Sequence, residues 1–576
     1  MREFKYFVKG DKSCIYTDRT LGQRILDSCN RFKTRIAISD GHSNITYEDL
    51  KKQISAVINY LKEKDINKQD IVAVLVSNDI SSIVKILAVT IMGGIYVPVD
   101  KNYPSERKNY MIDYSNAKYL LDDYQTLSPE DNLINIANDS INGIIYIIFT
   151  SGSTGYPKGV MISEKGIINL CDWYIKCFHI KADSIIFSLN SLSFDASVKN
   201  IFAPLLCGAK IIVNGESIID PEKIVQKIYD EKVSHINGTP SILQEILKHG
   251  EIDGYKKLES IQYIISGGET FQKKSMSNLW KLRNGKINIA NVYGPTEAAS
   301  LTSAYFLGNE DFITDQNIIP VGKIIDNKKI CIVDQDGIVD KCNKIGEILI
   351  GGVGIAKGYL NNKALTEEKF VTLCGEKFYK SGDFGYFDIN NILYYCGRKD
   401  NQIKRNGYRI ELDEISKSVE RIQGVDKCIT LLYKDNIVCC YCGKVNIKIK
   451  QRLYDFLPRF MIPDRIIHIN HVPLTTNGKL NIDILKKIIE THDKYLDVEC
   501  LNSTQQKIKK IWQNVLNTSS FTLNDNFFDV GGNSLRLFQM VRYIEKEFNQ
   551  KLDPLDVMGM ANINEISKMV NKKTNK

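Results

Sequence analysis

Ile144-Ile-Tyr-Ile-Ile-Phe-Thr-Ser-Gly-Ser-Thr-Gly-Tyr-Pro-Lys-Gly-Val160 is the stretch on which the reading of this 576-residue chain turns. Its opening, Ile144 to Phe149, is an apolar run of strand length. The ten residues from Thr150 to Gly159 then hold four Ser/Thr hydroxyls, three Gly and one Lys. Glycines let backbone amides approach an anion, hydroxyls donate further hydrogen bonds, and Lys158 brings a mobile positive charge. A strand running into such a turn is a phosphate cradle. It is not a Walker loop, because Lys158 is preceded by Pro157 and followed by Gly159.

Outward from this loop the chain alternates apolar strand, loop and amphipathic helix from Asp70 to Leu301. Strands are expected at Ile71 to Val76, Ile95 to Val97 (stopped by Pro98), Ser184 to Leu189, Ala209 to Val213, Ile261 to Ser266 and Ile289 to Val292. Helices fall between them, as at Ser81 to Ile91, Glu222 to Glu231 and Phe271 to Leu282. Such alternation predicts an α/β core with mainly parallel sheets. After Asp326 strands shorten and hairpin signals appear, so a small sheet subdomain is expected. Asn401 to about Glu490 mixes helix and strand and reads as a small α+β lobe. A polar stretch then leads to a last segment with helical periodicity only, at Gln505 to Leu516, Leu535 to Phe548 and Ile563 to Val570, which predicts a small helical bundle. The divisions are 1–399 for the large core, 400–492 for a mobile lobe, 493–503 for a linker and 504–576 for the bundle.

Bulk properties exclude several classes. No apolar run approaches the ~18 residues that span a bilayer. The N-terminus lacks the apolar core and small-residue cleavage site of a signal peptide, so a cytoplasmic protein without membrane partners is expected. A net charge of +8 is small for this length and its basic residues are dispersed, so nucleic acid is not implied. The 14 Cys form no disulfide framework. Cys439, Cys440 and Cys442 cluster, but in an apolar strand without His or a second pair at ligand spacing, which favours packing over metal.

Several further stretches lie along the chain with the loop. They are Ile45-Thr-Tyr-Glu-Asp-Leu50, Leu87 to Asp100, Asn291-Val-Tyr-Gly-Pro-Thr-Glu297, Gly346 to Leu360 and Tyr379-Lys-Ser-Gly-Asp383. Gly397-Arg-Lys-Asp-Asn-Gln-Ile-Lys404, Leu457-Pro-Arg-Phe-Met-Ile-Pro463 and Asn477-Gly-Lys479 follow. In this order they resemble the motifs of the acyl-adenylate-forming ligases, and specifically the adenylation domains of nonribosomal peptide synthetases. The resemblance covers nearly the whole chain and implies ATP and Mg²⁺. It places Thr150, Ser151, Gly152, Ser153, Thr154, Gly155 and Lys158 on the phosphates. Tyr293 is similar to the residue that stacks on adenine, with Gly268, Asn291 and Gly294 around the base. Asp383 and Arg398 would hold the ribose, and Thr296 and Glu297 would contact phosphate and Mg²⁺, a cation that prefers oxygen ligands. Lys479 is implied as the catalytic cation. Carboxylate attack on the α-phosphate brings two anions together, and a cation between them counts most in that transition state.

Asp525-Asn-Phe-Phe-Asp-Val-Gly-Gly-Asn-Ser534-Leu resembles the carrier-protein motif whose Ser receives 4′-phosphopantetheine, and the resemblance implies a four-helix-bundle carrier domain. Taken alone, Ser534 reads equally as a helix N-cap; behind an adenylation domain the carrier reading prevails. A phosphopantetheinyl transferase is then an implied partner. Neither a His-His-x-x-x-Asp-Gly nor a Gly-x-Ser-x-Gly motif is present, so condensation or tailoring enzymes acting in trans are implied as well. The hinge between lobes falls at Asp400. Rotation there would withdraw Lys479 and admit the thiol along Ile403 to Tyr408, with Gly407 allowing close passage. Arg405-Asn406 departs from the commoner Ile-Arg and receives no role.

Asp195 matches the residue that pairs with a substrate α-ammonium. The resemblance lines the rest of the amino-acid pocket with Ala196, Lys199, Asn237, Ile265, Gly267, Val292, Ser300 and Leu301. A buried Lys199 needs a counter-charge, which a polar or acidic side chain such as that of glutamate supplies; the alternative is that Lys199 snorkels to solvent. Two other readings share the fold: a carrier ligase for an acid that is not an α-amino acid, and a decayed, non-catalytic carrier or scaffold. Asp195 opposes the first, and retention of Lys158, Asp383, Arg398 and Lys479 opposes the second.

Overall fold

The computed structural model describes residues 7–13, 19–122, 141–215, 220–271, 273–282, 285–313, 319–405, 407–445, 448–475, 480–494, 501–518, 521–528, 530–532, 534–560 and 562–574. Two large sheets form the core. In one, strands run in the order Gly358–Tyr359, Lys158–Ser163, Ile144–Thr150, Ile95–Asp100, Ile71–Val76, Tyr119–Leu121. The last four are parallel, and the strand entering the phosphate loop turns back on itself as an antiparallel hairpin with Lys158–Ser163. The other sheet has nine described strands, parallel from Asn288–Tyr293 through Tyr263–Gly267, His235–Gly238, Ile185–Ser188 and Lys210–Val213 to Ile36–Ser39, with antiparallel edges.

Helices Ile80–Ile91, Glu164–Cys177 and Asp195–Cys207 share one buried apolar cluster with both sheets, and so lie between them. Ile80–Ile91 is buried along nearly its whole length, as a helix between two layers must be, and its sequence is correspondingly apolar all round. The Ile45 to Leu50 stretch proves to be a helix start: Thr46 caps Tyr47–Glu63 in a reciprocal box with Asp49.

Two expectations are corrected. The strand begun at Ile95 does not stop at Pro98 but continues to Asp100. Pro98 has no N–H to donate, yet the strand keeps its register with Ile71–Val76 through Val74↔Pro98, while the ladder to Ile144–Thr150 is made at Tyr96 alone. The small-sheet region beyond Asp326 is antiparallel, but its strands shorten only in part: Gly337–Ile338 and Phe370–Leu373 are short, whereas Glu376–Phe387 is twelve residues long and pairs with three neighbours, two of them across a register shift.

Beyond Asp400 a hairpin, Gln402–Arg405 with Tyr408–Glu411, precedes helix Leu412–Glu420 and a three-stranded sheet of Val425–Tyr433, Asn436–Gly443 and Arg465–His468. Cys439 faces the cluster of Leu412–Glu420 and Cys440 the opposite one. Strand alternation therefore points these two thiols apart. Among the described residues, no group of His, Cys, Asp or Glu is placed to hold a metal.

The C-terminal segment packs helices Ser503–Leu516, Ser534–Phe548, Pro554–Gly559 and Ile563–Thr574 around Trp512, Phe521 and Phe527. No described helix is long and apolar enough to cross a membrane.

Candidate active site

The phosphate loop sits where the two core sheets, the antiparallel sheet and the C-terminal lobe meet. A Cβ on Gly152 would stand 2.2 Å from the Tyr156 carbonyl, and Gly155 has φ +93, so the turn needs glycine at both positions. Thr150 Oγ1 is buried with no hydrogen-bond partner in the structure, a donor left for an anion. Thr154 is exposed at the tip.

The hairpin after Asp400 reaches into this loop. Ser151 Oγ donates to the Arg409 carbonyl at 2.9 Å and accepts from the Glu411 amide at 3.1 Å. Gly152 N donates to Glu414 Oε2 at 2.9 Å, and Lys417 Nζ donates to the Ser153 carbonyl at 2.7 Å. Arg107 pairs with the other Glu414 oxygen at 2.7 Å, both side chains buried.

Arg409 is the residue that sequence reasoning missed most plainly. Its guanidinium is 2.7 Å from Glu297 Oε2, and Tyr359 OH donates to Glu297 Oε1 at 2.8 Å. Burial pushes the Glu297 carboxyl up, but Arg409, Lys158 and the Tyr359 hydroxyl outweigh it and hold it at about 2. The stabilisation this represents is present above the unfolded value of 4.5 and is lost as pH falls towards 2. Lys158 goes the other way: burial, reinforced by Arg409, lowers it to about 8. Glu297 is an ionised, acceptor-only carboxylate, which fits Mg²⁺; with Arg409 in place that charge is already matched within the chain.

Behind the phosphate loop, Tyr293 OH donates to Asp383 Oδ2 at 2.6 Å, and Arg398 reaches Asp383 Oδ1 at 2.6 Å. Arg398 also grips both oxygens of Asp400, which ties the arginine expected at the ribose to the residue expected at the hinge. Gly268, at φ +88, opens onto empty space where a Cβ would point, which suits a ligand face. Asn291 Nδ2 donates to the Pro320 carbonyl at 2.8 Å. Lys404 Nζ lies 5.8 Å from the centre of the Tyr293 ring.

The tight turn after Tyr293 carries Thr296 and Glu297 and then the pocket residues Ser300 and Leu301. A Cβ on Gly294 would collide with the Ser300 carbonyl at 2.4 Å. Ala299 (φ 50) and Ser300 (φ 69) are consecutive left-handed residues without the freedom of glycine, a costly geometry that its surroundings must enforce. Lys328 supplies part of that. It is fully buried and donates to the carbonyls of Ala298 and Leu301, and burial alone lowers it to about 7. Nothing in the local sequence around Asn327-Lys328 signals this.

Asp195 opens helix Asp195–Cys207, and Lys199 follows one turn later. Lys199 is 2% exposed, so it does not snorkel to solvent. Its Nζ donates to the Ala196 carbonyl at 2.7 Å and lies 6.0 Å from the Tyr174 ring. Burial lowers Lys199 to about 8, partly offset by Asp195; burial raises Asp195, partly offset by Lys199 and a Thr296 hydrogen bond. Asn237 accepts from Asn190 Nδ2 at 2.7 Å, and Tyr174 OH donates to Asn200 at 3.3 Å. Ile265, Gly267 and Val292 complete the wall on adjacent parallel strands, and a Cβ on Gly267 would meet Val292. Of the residues expected to line an amino-acid pocket, Lys199 and Asn237 are polar and Ile265 and Val292 apolar.

Lys479 lies outside the described residues. Leu480, beside it in sequence, packs with Tyr433, Val438 and Cys440, on the face of the lobe's sheet opposite the one that packs the hairpin. Ser534 opens helix Ser534–Phe548. That helix lies against both lobes: Gln539 Nε2 donates to Glu245 at 2.8 Å in the core, and Arg536 Nη1 donates to Asn436 at 3.3 Å in the C-terminal lobe.

Comparison with known proteins agrees with this geometry. Residues 25–360 match the family model for AMP-binding enzymes, and residues 506–570 match that for a phosphopantetheine attachment site. The chain belongs to the AMP-binding enzyme family and carries a phosphopantetheine attachment segment. It is 31% identical to bacitracin synthase 3 of Bacillus licheniformis over 97% of its own length, and 30% identical to gramicidin S synthase 2 of Brevibacillus brevis over 97%. It spans only 9% and 13% of those proteins respectively. Among solved structures, holo-PA1221, an NRPS protein containing adenylation and PCP domains, superposes with a TM-score of 0.84 at 24% identity. That match covers 97% of this chain and 98% of the other. NpsA-ThdA from Klebsiella oxytoca, an artificially fused adenylation–PCP di-domain, gives 0.71 at 21% identity over 97% and 99%.

Proposed function

We propose that this chain activates an α-amino acid with a polar or acidic side chain, using MgATP, and loads it onto its own carrier domain. Amino acid and ATP give aminoacyl-AMP and pyrophosphate; the pantetheine thiol on Ser534 then displaces AMP to give a thioester. The observation that carries this reading is a half-buried Asp195 and a buried Lys199, one helix turn apart, beside the Glu297–Lys158–Arg409 cluster. A zwitterion with a side-chain carboxylate brings an ammonium to Asp195 and a counter-charge to Lys199, so both charges are matched at once. The likeness to bacitracin and gramicidin S synthases supports the same chemistry, and downstream enzymes would take the thioester.

Each residue has a task in this scheme. Thr150 and Lys158 hold phosphate oxygens, joined by Ser151 and the Gly152 amide once the hairpin and Glu414 withdraw from them, while Tyr293, Gly268 and Asn291 frame the base. Asp383 and Arg398 hold the ribose, and Glu297 with Thr296 would hold Mg²⁺, which neutralises phosphate charge when bound. Phosphopantetheine supplies a thiol on a flexible arm. An arrangement with the hairpin on the phosphate loop and the carrier across both lobes suits the thiol step. Adenylation requires rotation about Asp400 that exchanges Arg409 for Lys479. The test is ATP–pyrophosphate exchange over a panel of amino and aryl acids. Exchange with glutamate or a close polar relative, lowered on the order of 10²–10³ by Lys479→Ala, is expected. Exchange with apolar substrates only would overturn the substrate reading, and unchanged exchange in the variant would overturn the role of Lys479.

A further inference from the structure

One carboxylate stands between two arginines where the carrier meets the C-terminal lobe. Asp464 is 5% exposed, and its Oδ2 accepts from the Ile437 amide at 2.6 Å. Arg405 takes both of its oxygens, each at 2.7 Å. Arg536, two residues past Ser534, comes to 3.7 Å of Oδ1 with the same Nη1 that donates to the Gly531 carbonyl at 2.7 Å. The carrier backbone itself approaches here. A Cβ on Gly531 would stand 3.1 Å from the Asp464 side chain, and Gly531 has φ +109, so only glycine lets the turn before Ser534 come this close.

The remaining carrier contacts are neutral or on other elements. Asn517 Nδ2 donates to the Lys434 carbonyl at 3.0 Å, Gln539 reaches Glu245, and Arg542 donates to the Lys248 carbonyl at 3.4 Å. Asp464 comes within salt-bridge distance of Arg536, whose Nη1 also donates to Asn436 Oδ1 at 3.3 Å and whose charge Asp435 faces as well. The Asp464 charge is shared with Arg405, the residue that departs from the commoner sequence of this segment.

We infer that Asp464 is the charge that seats the carrier on the two lobes, and that Arg405 tempers it by drawing on the same carboxylate. The inference rests on reading residues 504–576 as a carrier. A seat of this kind must be strong enough to hold the thiol in place for one transfer and weak enough to release the loaded carrier to the next enzyme. Two guanidiniums on one carboxylate leave a net positive charge, so the second arginine is held less firmly than it would be alone. Removing the carboxylate leaves two like charges facing each other. Removing Arg405 leaves a simple pair.

The two substitutions therefore act in opposite directions. In the full-length holo chain, Asp464→Asn and Arg536→Gln should slow thioester loading about fivefold, the size of an ordinary charge pair, with pyrophosphate exchange unchanged. Arg405→Ile should load at least as fast as the parent and release the carrier more slowly, seen as slower transfer to an added thiol acceptor. Equal loading by all four proteins, or slower loading by Arg405→Ile, would overturn the inference. Absence of exchange in the parent chain would count against the proposed activity, a separate failure. The seat is then read by small-angle scattering of the holo chain: Asp464→Asn should enlarge the radius of gyration and Arg405→Ile should not, and identical profiles would overturn it.

Discussion

Lys199 holds its charge against burial, and the consequence is measurable. Its folded pKa of about 8 lies below the unfolded 10.5, so the unfolded chain binds more protons between those values. The cost of burying the cation is thus fully present below about pH 8 and is relieved as pH rises towards 10.5. A substrate carboxylate needs the charged form, so the KM for an acidic amino acid in the exchange assay should climb above about pH 8, roughly tenfold per pH unit at the steep end. Lys199→Met should abolish that dependence and shift exchange towards apolar amino acids; a flat KM profile in the parent from pH 7 to 9.5 would contradict the assignment. Motif order placed Asp195 and Lys199 in one pocket, and that is visible in sequence. That Lys328 braces the same pocket from below is not, because its partners are carbonyls thirty and twenty-seven residues away, and carbonyls carry no side-chain signature.

The hairpin Gln402–Arg405 and Tyr408–Glu411 is the element on which the two proposed half-reactions would turn. Its tip enters the junction between lobes, where Gly407 N donates to Glu269 at 2.8 Å and a Cβ on Gly407 would stand 2.4 Å from Thr239. With φ +81 the position is strained for any other residue. Gly407→Ala should lower thioester loading by on the order of tenfold or more, from left-handed strain and the clash with Thr239 together, while pyrophosphate exchange persists. Parallel loss of both activities would mean that the substitution harms the fold rather than the closure. Sequence reading found this glycine as a place of close passage. It did not find Arg409 two residues on, since an arginine in a strand gives no sign of which carboxylate it will meet. Pro98 misled for a related reason: whether a missing N–H stops a strand depends on which neighbour lies on that side.

At the scale of the whole molecule, the large core, the C-terminal lobe and the carrier each bury apolar clusters of their own, and polar contacts join them together with the rings of Phe194, Tyr408 and Phe460 between core and lobe. Among the described residues, the carrier cluster of Trp512, Phe521, Phe527, Leu537, Ile544 and Ile563 draws on none before Ile508. Residues 501–576 alone should therefore unfold cooperatively as a helical domain, followed by far-UV circular dichroism, and should accept phosphopantetheine from a transferase. A non-cooperative transition would show that the lobes complete this core. Periodicity and motif order by themselves determined the α/β core, the small lobe and the helical bundle, because these depend on which side chains can be buried and on local turn chemistry. Only the tertiary structure decided that Arg409 holds Glu297, that Glu414 ties the lobe to the phosphate loop, and that Arg405 and Arg536 share Asp464. Ion pairing is set by distances between elements far apart in the chain, and one sequence states charges without stating which of them meet.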